Sequence, residues 1–256
     1  MIDGSAATTA PVPGFVPFSP LHLFTVAVCV AGWVTLVKRA RASFGTARES
    51  AFRRRLVLAT VVFNFGWTLF RFTPWYFDKD ASLPLHACDF AWILGALAIG
   101  RSGEHGRFGR IDRQLAFYFG IGLAPLGVIT PVLTDGLDDI DFWAFWLRHF
   151  LIPACALVDR FAFDLRPTLR GWLATVGACV VLWIPITGIN IALDTSYFFT
   201  GQTAPENPTP IDLLGPWPLR ILWIGLLGSG WLLVLGRLLR NEPIRSRNER
   251  PLGEPS

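Results

Sequence analysis

Lysine is almost missing from this sequence. Lys38 and Lys79 stand alone beside 21 arginines, and charged residues of both signs make up 16% of the 256 residues. A soluble domain averages about 25% charged residues. With hydrophobic residues at 52% and a mean hydropathy of +0.44, the shortage excludes an ordinary soluble domain and points to an integral membrane protein. The apolar runs tile nearly the whole length, which leaves no stretch for a detachable soluble domain. The opening, MIDGSAATTAPVPG, lacks the basic n-region of a cleavable signal peptide, so the first apolar run is expected to stay in the protein. Cysteines are missing from the loops. Cys29, Cys88, Cys155 and Cys179 all lie in apolar runs, which argues against a disulfide framework. The net charge of +4 does not imply nucleic acid, because the basic residues are distributed as membrane orientation would distribute them.

A spanning helix needs about 20 mostly apolar residues. Seven runs qualify, at roughly 20–37, 56–75, 83–100, 114–133, 143–158, 171–193 and 219–238. The segments between them alternate in charge. KRARASFGTARESAFRRR, RSGEHGRFGRIDR, DRFAFDLRPTLR and the tail from Arg237 hold 19 of the 23 basic residues. The opposite segments, DKD, TDGLDDID and DTSYFFTGQTAPENPTPID, are acidic or neutral. By the positive-inside rule the basic side is cytoplasmic. The expected fold is therefore all-α: a polytopic bundle of seven transmembrane helices, N-terminus outside and C-terminus cytoplasmic. Residues 1–19 form an extracytoplasmic segment, 20–238 the membrane domain and 239–256 a cytoplasmic tail. Arginine-rich usage fits a GC-rich bacterial genome, which makes this a multi-pass protein of a bacterial plasma membrane. Trp217, between two prolines in IDLLGPWPLR, suits the outer membrane interface, so the 194–218 loop is expected to fold back there.

The polar residues within the runs gather at one depth. His22 begins the first run. Asn64 and Arg71 lie in the second, and His86, Cys88 and Asp89 open the third. Arg148 and His149 lie in the fifth, Asn190 and Asp194 close the sixth, and Arg220 begins the seventh. All but Asn64 fall near outer helix ends. Intramembrane ionisable groups are rare and usually face a bundle interior or a wet cavity, so a polar cavity in the outer half of the membrane is expected. Interfacial anchoring is the alternative for His22 and Arg220. Asn64, Trp67 and Arg71 share one helical face at i, i+3 and i+7. Arg71 is then placed either to bind a phosphate through paired hydrogen bonds or to snorkel.

A cysteine and a histidine from different helices can act as nucleophile and base. Cys88 has polar neighbours, unlike the other three cysteines, and His149 is at similar depth. His86 lies two residues from Cys88, so on a regular helix the two point nearly opposite ways. If Pro84 leaves the chain unwound, His86 could reach Cys88 instead. His86 and Asp89, at i and i+3, share a face. Three histidines with Asp89 and Cys88 could also hold zinc, as in seven-helix hydrolases of the ceramidase type, but His-x-x-x-His is absent. The seventh run has no lysine, which excludes a retinal protein. LGSG at 227–230 falls short of the rhomboid Gly-x-Ser-Gly, and the His-x-x-x-x-Asp of glycerolipid acyltransferases is absent. A transporter or sensor using the same cavity stays open.

FSPLHL (18–23), LPLHACD (83–89), FWAFWLRHF (142–150) and IDLLGPWP (211–218) together resemble the YwaF-like family of bacterial integral membrane proteins. That family is related to the eukaryotic transmembrane-protein-164 acyltransferases, which remodel ether phospholipids through a membrane cysteine and histidine. The resemblance runs nearly end to end and implies those roles for Cys88 and His149. The chain departs from the eukaryotic pattern at two places. There the cysteine directly precedes the histidine, whereas here it follows His86 by two, so Cys88 and His86 compete for the key role. Ser196 stands where Asn-Tyr-x-Phe-Leu has its asparagine, and Tyr197 is kept. The expected activity is an intramembrane phospholipid acyltransferase or acyl hydrolase. His149 serves Cys88, Asp89 orients His86, Arg71 or Arg148 holds the phosphate, and Asn64 or Tyr197 donates to the oxyanion. His22 is included as a substrate-side group. No cofactor, metal or nucleic acid is expected, and the partners are membrane phospholipids. The alternatives are a non-enzymatic lipid-binding, transport or sensor protein and a seven-helix zinc hydrolase.

Overall fold

The computed structural model describes residues 14–101, 107–202 and 210–240, with the backbone alone at 107–110. Most of the expected N-terminal segment (to residue 13) and of the expected tail (from 241) lies outside the described residues, as do 102–106 and 203–209.

Among the described residues the chain is all helix and loop, in seven rods, and each apolar run falls on one of them. The first is α1 (Pro20–Ser43), where Pro20 at the first position and the Ser19 hydroxyl, accepting from the His22 N–H at 3.3 Å, start the helix. Then follow α2 (Glu49–Arg71) and α3 (Ala87–Gly100). The fourth rod is continuous but changes pitch, from α4 (Arg107–Phe117) through a π turn (Tyr118–Leu123) to α5 (Ala124–Ile129). The fifth, α6 (Ile140–Phe161), is capped by Asp139, whose carboxylate accepts from the Asp141 N–H at 2.8 Å. Finally α7 (Leu169–Leu193), capped by Thr168, and α8 (Leu219–Arg240) run antiparallel as neighbours.

Four rods, α1, α6, α7 and α8, are long and apolar enough to cross a membrane by length and composition. The third departs from the expected run at its N-terminal end. Residues 83–86 are not helical, because Pro84 disfavours helix for the residue before it, and His86 stays extended as the N-cap.

The bundle is organised around α6, which is far more buried than α1, α7 or α8. Close approach makes this packing: a Cβ at Gly95 of α3 would sit 3.0 Å from the Cys155 Cβ, and one at Gly120 in the π turn 2.6 Å from the Ala156 Cβ. Trp33 of α1 donates its indole N–H to the Phe150 carbonyl at 2.8 Å, and Trp231 of α8 donates to Gly122 in the π turn at 2.8 Å. The outward faces are aliphatic, as at Ile184 and Leu222.

Opposite ends of the bundle are closed differently. At the basic end, Arg113 makes paired contacts with the fully buried Asp159, at 2.9 Å on Oδ1 and 3.0 Å on Oδ2. At the other end, Asn190 uses its whole amide. Nδ2 donates to the Tyr197 carbonyl and the Thr200 hydroxyl, and Oδ1 accepts from the Thr195 hydroxyl and the Tyr197 N–H. These bonds fold residues 195–200 into a tight cap. Trp217, expected at the interface, donates its indole N–H to the Thr200 carbonyl at 3.1 Å, and Arg220 binds the Gly201 carbonyl at 2.6 Å.

Candidate functional site

The first turn of α3 carries three of the expected residues. Asp89 is 5% exposed, and both of its oxygens are used. Oδ2 accepts from the His86 backbone N–H at 2.8 Å, and Oδ1 pairs with the Arg148 guanidinium of α6. The Asp89 carboxylate therefore binds the His86 backbone within the capping box that opens α3, and its other partner lies across the helix interface. The His86 ring packs on Tyr197 with centroids 4.7 Å apart. Cys88 is a half-buried free thiol on the same turn. Its sulfur lies at the N-terminal end of α3, within reach of both the Arg148 and the Asp89 charges.

His149 has a defined tautomer. Its Nδ1 lies 2.9 Å from the Phe145 carbonyl, which can only accept, so Nδ1 carries the proton and Nε2 presents a lone pair. The ring stacks on Phe145 at 4.1 Å and faces α5, where a Cβ at Gly127 would sit 3.0 Å from Nε2. Gly127→Ala should therefore move the ring by a few tenths of an ångström. Alanine favours the helix, so the expected result is a displaced His149 ring, read from its imidazole NMR signals, with no loss of thermal stability.

The second polar group joins α2 to the start of α6. Arg71 pairs with Asp141 at 3.6 Å, and the Tyr76 hydroxyl donates to the same carboxylate. Burial, with that hydrogen bond next, holds the Tyr76 phenol well above its ordinary range, so it stays a donor. Arg71 Nε and Arg148 Nε are both buried with no hydrogen-bond partner among the described residues. His86 feels the charges of Arg71, Arg148 and Asp89, and His149 those of Arg148, His86 and Asp89. The two groups therefore form one electrostatic neighbourhood contributed by α2, α3 and α6.

Other expected residues take different positions. His22 has both ring nitrogens engaged: Nδ1 accepts from the Phe18 N–H at 2.7 Å, so Nε2 donates to the Val128 carbonyl at 2.8 Å. It ties α1 to α5. Asn64 is 1% exposed, and its amide N–H donates to the Thr60 carbonyl at 2.9 Å, which leaves Oδ1 as a buried acceptor without a partner among the described residues. The Tyr197 hydroxyl donates to the Lys79 carbonyl at 2.6 Å and accepts from the Leu83 N–H at 3.0 Å. Burial pushes that phenol up to about 12, so the proton stays. Tyr197 thus holds the chain leading into LPLHACD, and its hydroxyl proton is already in use, whereas the Asn64 amide spends one of its two N–H donors on Thr60. Among the described residues no three His, Cys, Asp or Glu side chains gather as a metal cluster.

Tyr76, Asp141, Phe145 and Gly127 belong to this neighbourhood and were not singled out by the sequence. Two of them, Asp141 and Phe145, had a legible signal. Asp141, Phe145 and Arg148 fall at i, i+4 and i+7 on one face of α6, opposite the Asn64–Trp67–Arg71 face of α2.

A family model described as the TMEM164 family matches residues 17–235. No curated protein and no solved structure matches the chain.

Proposed function

Since the chain belongs to the TMEM164 family of membrane proteins, we propose that it is a phospholipid acyltransferase or acyl hydrolase working at outer-leaflet depth, with Cys88 as nucleophile and His149 as base. All seven rods cross the membrane in this reading, with the N-terminus outside, and the polar neighbourhood opens toward the outer leaflet. The single observation that carries it is the fixed His149 tautomer, which leaves Nε2 as a proton acceptor with no hydrogen bond among the described residues.

His149 Nε2 takes the Cys88 thiol proton, and the thiolate attacks an ester carbonyl. The tetrahedral intermediate collapses by expelling the lysolipid alkoxide, which takes the proton back from His149 and leaves an acyl thioester on Cys88. A second lysolipid hydroxyl, or water, then gives its proton to His149 and attacks the thioester. The thiolate leaves and is reprotonated. Arg148, which acts on Cys88, is placed to stabilise the oxyanion, and Arg71 to hold the phosphate.

The test uses purified protein in vesicles, a phospholipid with one labelled acyl chain and an unlabelled lysophospholipid acceptor. Wild type should move label into the acceptor or release free acid. His149→Gln should slow this by 10² to 10⁴, roughly the worth of a positioned base. Turnover unchanged in His149→Gln, or no turnover by wild type, overturns the reading and leaves a lipid-binding or transport role.

A further inference from the structure

On the outward side of α2 lies a mostly apolar groove of about 440 Å³, lined by Ala59, Val62, Phe63, Gly66, Trp67 and Phe70 with Ile140 from α6. We infer that this groove is the seat of one acyl chain of a phospholipid whose phosphate rests on Arg71, so that the substrate enters sideways from the outer leaflet between α2 and the start of α6. The inference rests on the reading of the site as phospholipid-binding and adds the place and route of the lipid.

Three observations select this occupant. The first is continuity. Phe70 and Ile140 line the groove's outer end, and each is followed directly by a member of the Arg71–Asp141 pair. The Arg71 guanidinium lies 5.8 Å from the Trp67 ring centroid, so the groove wall is also the floor under the cation. The second is charge. Arg71 makes no hydrogen bond within 3.5 Å among the described residues, its Asp141 contact is long at 3.6 Å, and its Nε is buried and unpartnered. Phosphate oxygens supply what such a cation lacks. The third is length. From Ala59 to Phe70 the helix rises about 16 Å, close to half of a hydrocarbon core about 30 Å thick. A chain hanging from a head group on Arg71 would fill the groove to its end. Gly66 makes the room, since a Cβ there would meet nothing within 4 Å.

The open space at Gly66 also gives a variant that leaves the packing alone. The experiment uses full-length Cys88→Ala protein, so that turnover plays no part. The protein is placed in vesicles of phosphatidylethanolamine and phosphatidylglycerol doped with a phosphatidylethanolamine bearing a diazirine halfway along one acyl chain. After photolysis, cross-linked peptides are mapped. The expected result is concentration of adducts within 59–70, reduced about tenfold by Gly66→Phe and by Arg71→Gln, as loss of charge-assisted hydrogen bonds implies. Val181→Phe, on the exposed face of α7, should change nothing. Adducts spread evenly over outward positions such as Val181 and Leu222, and indifferent to Gly66→Phe, mean annular lipid only and overturn the inference. Adducts concentrated in 59–70 while wild type shows no acyl transfer uphold the groove and defeat the catalytic reading instead.

Discussion

Cys88→Ala is expected to abolish acyl transfer, by a factor on the order of 10⁴ or more, as removal of a nucleophile generally does. It should also erase a covalent mark. Wild-type protein given a phospholipid without acceptor should gain the mass of one acyl group, cleavable by hydroxylamine, and Cys88→Ala should gain none. The other cysteines provide the control. Cys29 and Cys155 are buried, and Cys179 packs among apolar neighbours on α7, so each is a packing residue. Cys29→Ala and Cys179→Ala should keep both mark and activity. Cys155→Ala should keep the mark but lose some stability, because Cys155 fills the space beside Gly95 and touches the Thr60 hydroxyl at 3.4 Å. A mark that survives Cys88→Ala would assign the acyl carrier elsewhere. An unmarked wild type with unchanged lipid binding would favour the non-enzymatic reading.

Asp89→Ala should give the largest stability loss at the site. Asp89 neutralises Arg148 and accepts the His86 N–H, and it is nearly inaccessible. Removing one member of a buried ion pair strands the other charge and costs about 3 to 5 kcal/mol. For a chain of this size that corresponds to a fall in Tm of about 10 °C, read by thermal unfolding in detergent micelles. The double variant Asp89→Leu/Arg148→Met should recover much of the loss, because two apolar side chains leave no orphan charge. It should stay inactive, because the cation beside Cys88 is gone. Equal destabilisation by the single and double variants would show that packing, not charge, holds this corner.

The seven rods were legible because each is written as a long apolar run, and the alternating charge of the loops is readable without a structure. The N-terminal end of α3 was half legible. Pro84 signalled the unwinding, but the bond from Asp89 to the His86 backbone depends on where the helix starts, which the run of apolar residues does not mark. The pairing of Asp89 with Arg148 was not legible at all. Sequence offers Asp89 a neighbour three residues away in His86, whereas the partner it takes lies 59 residues on, brought over by the packing of α3 on α6. Asn64 and Tyr197 show the same limit. Their depth and polarity were visible, but which of their hydrogen-bonding atoms are already in use is settled by carbonyls of Thr60 and Lys79, which carry no signature in a sequence. Gly127 gave no signal, because a glycine next to a histidine ring looks like any other glycine in a membrane helix.

The π turn at Tyr118–Leu123 fixes the rotational phase between the two halves of its rod. A regular helix advances about 100° per residue, and a π turn is the mark left by an extra residue absorbed into one. Below it, Gln114 faces Thr168 and the Arg166 carbonyl at the basic end. Above it, Gly127 faces His149, and the Val128 carbonyl meets His22. Without the wider turn to absorb it, the extra residue would swing one half past the other by about that angle. Either Gln114 would leave its carbonyl, or a side chain would replace Gly127 beside the imidazole. Relatives that share this site should therefore keep the π turn with its extra residue, or lose the two together, even where they change the segment's letters.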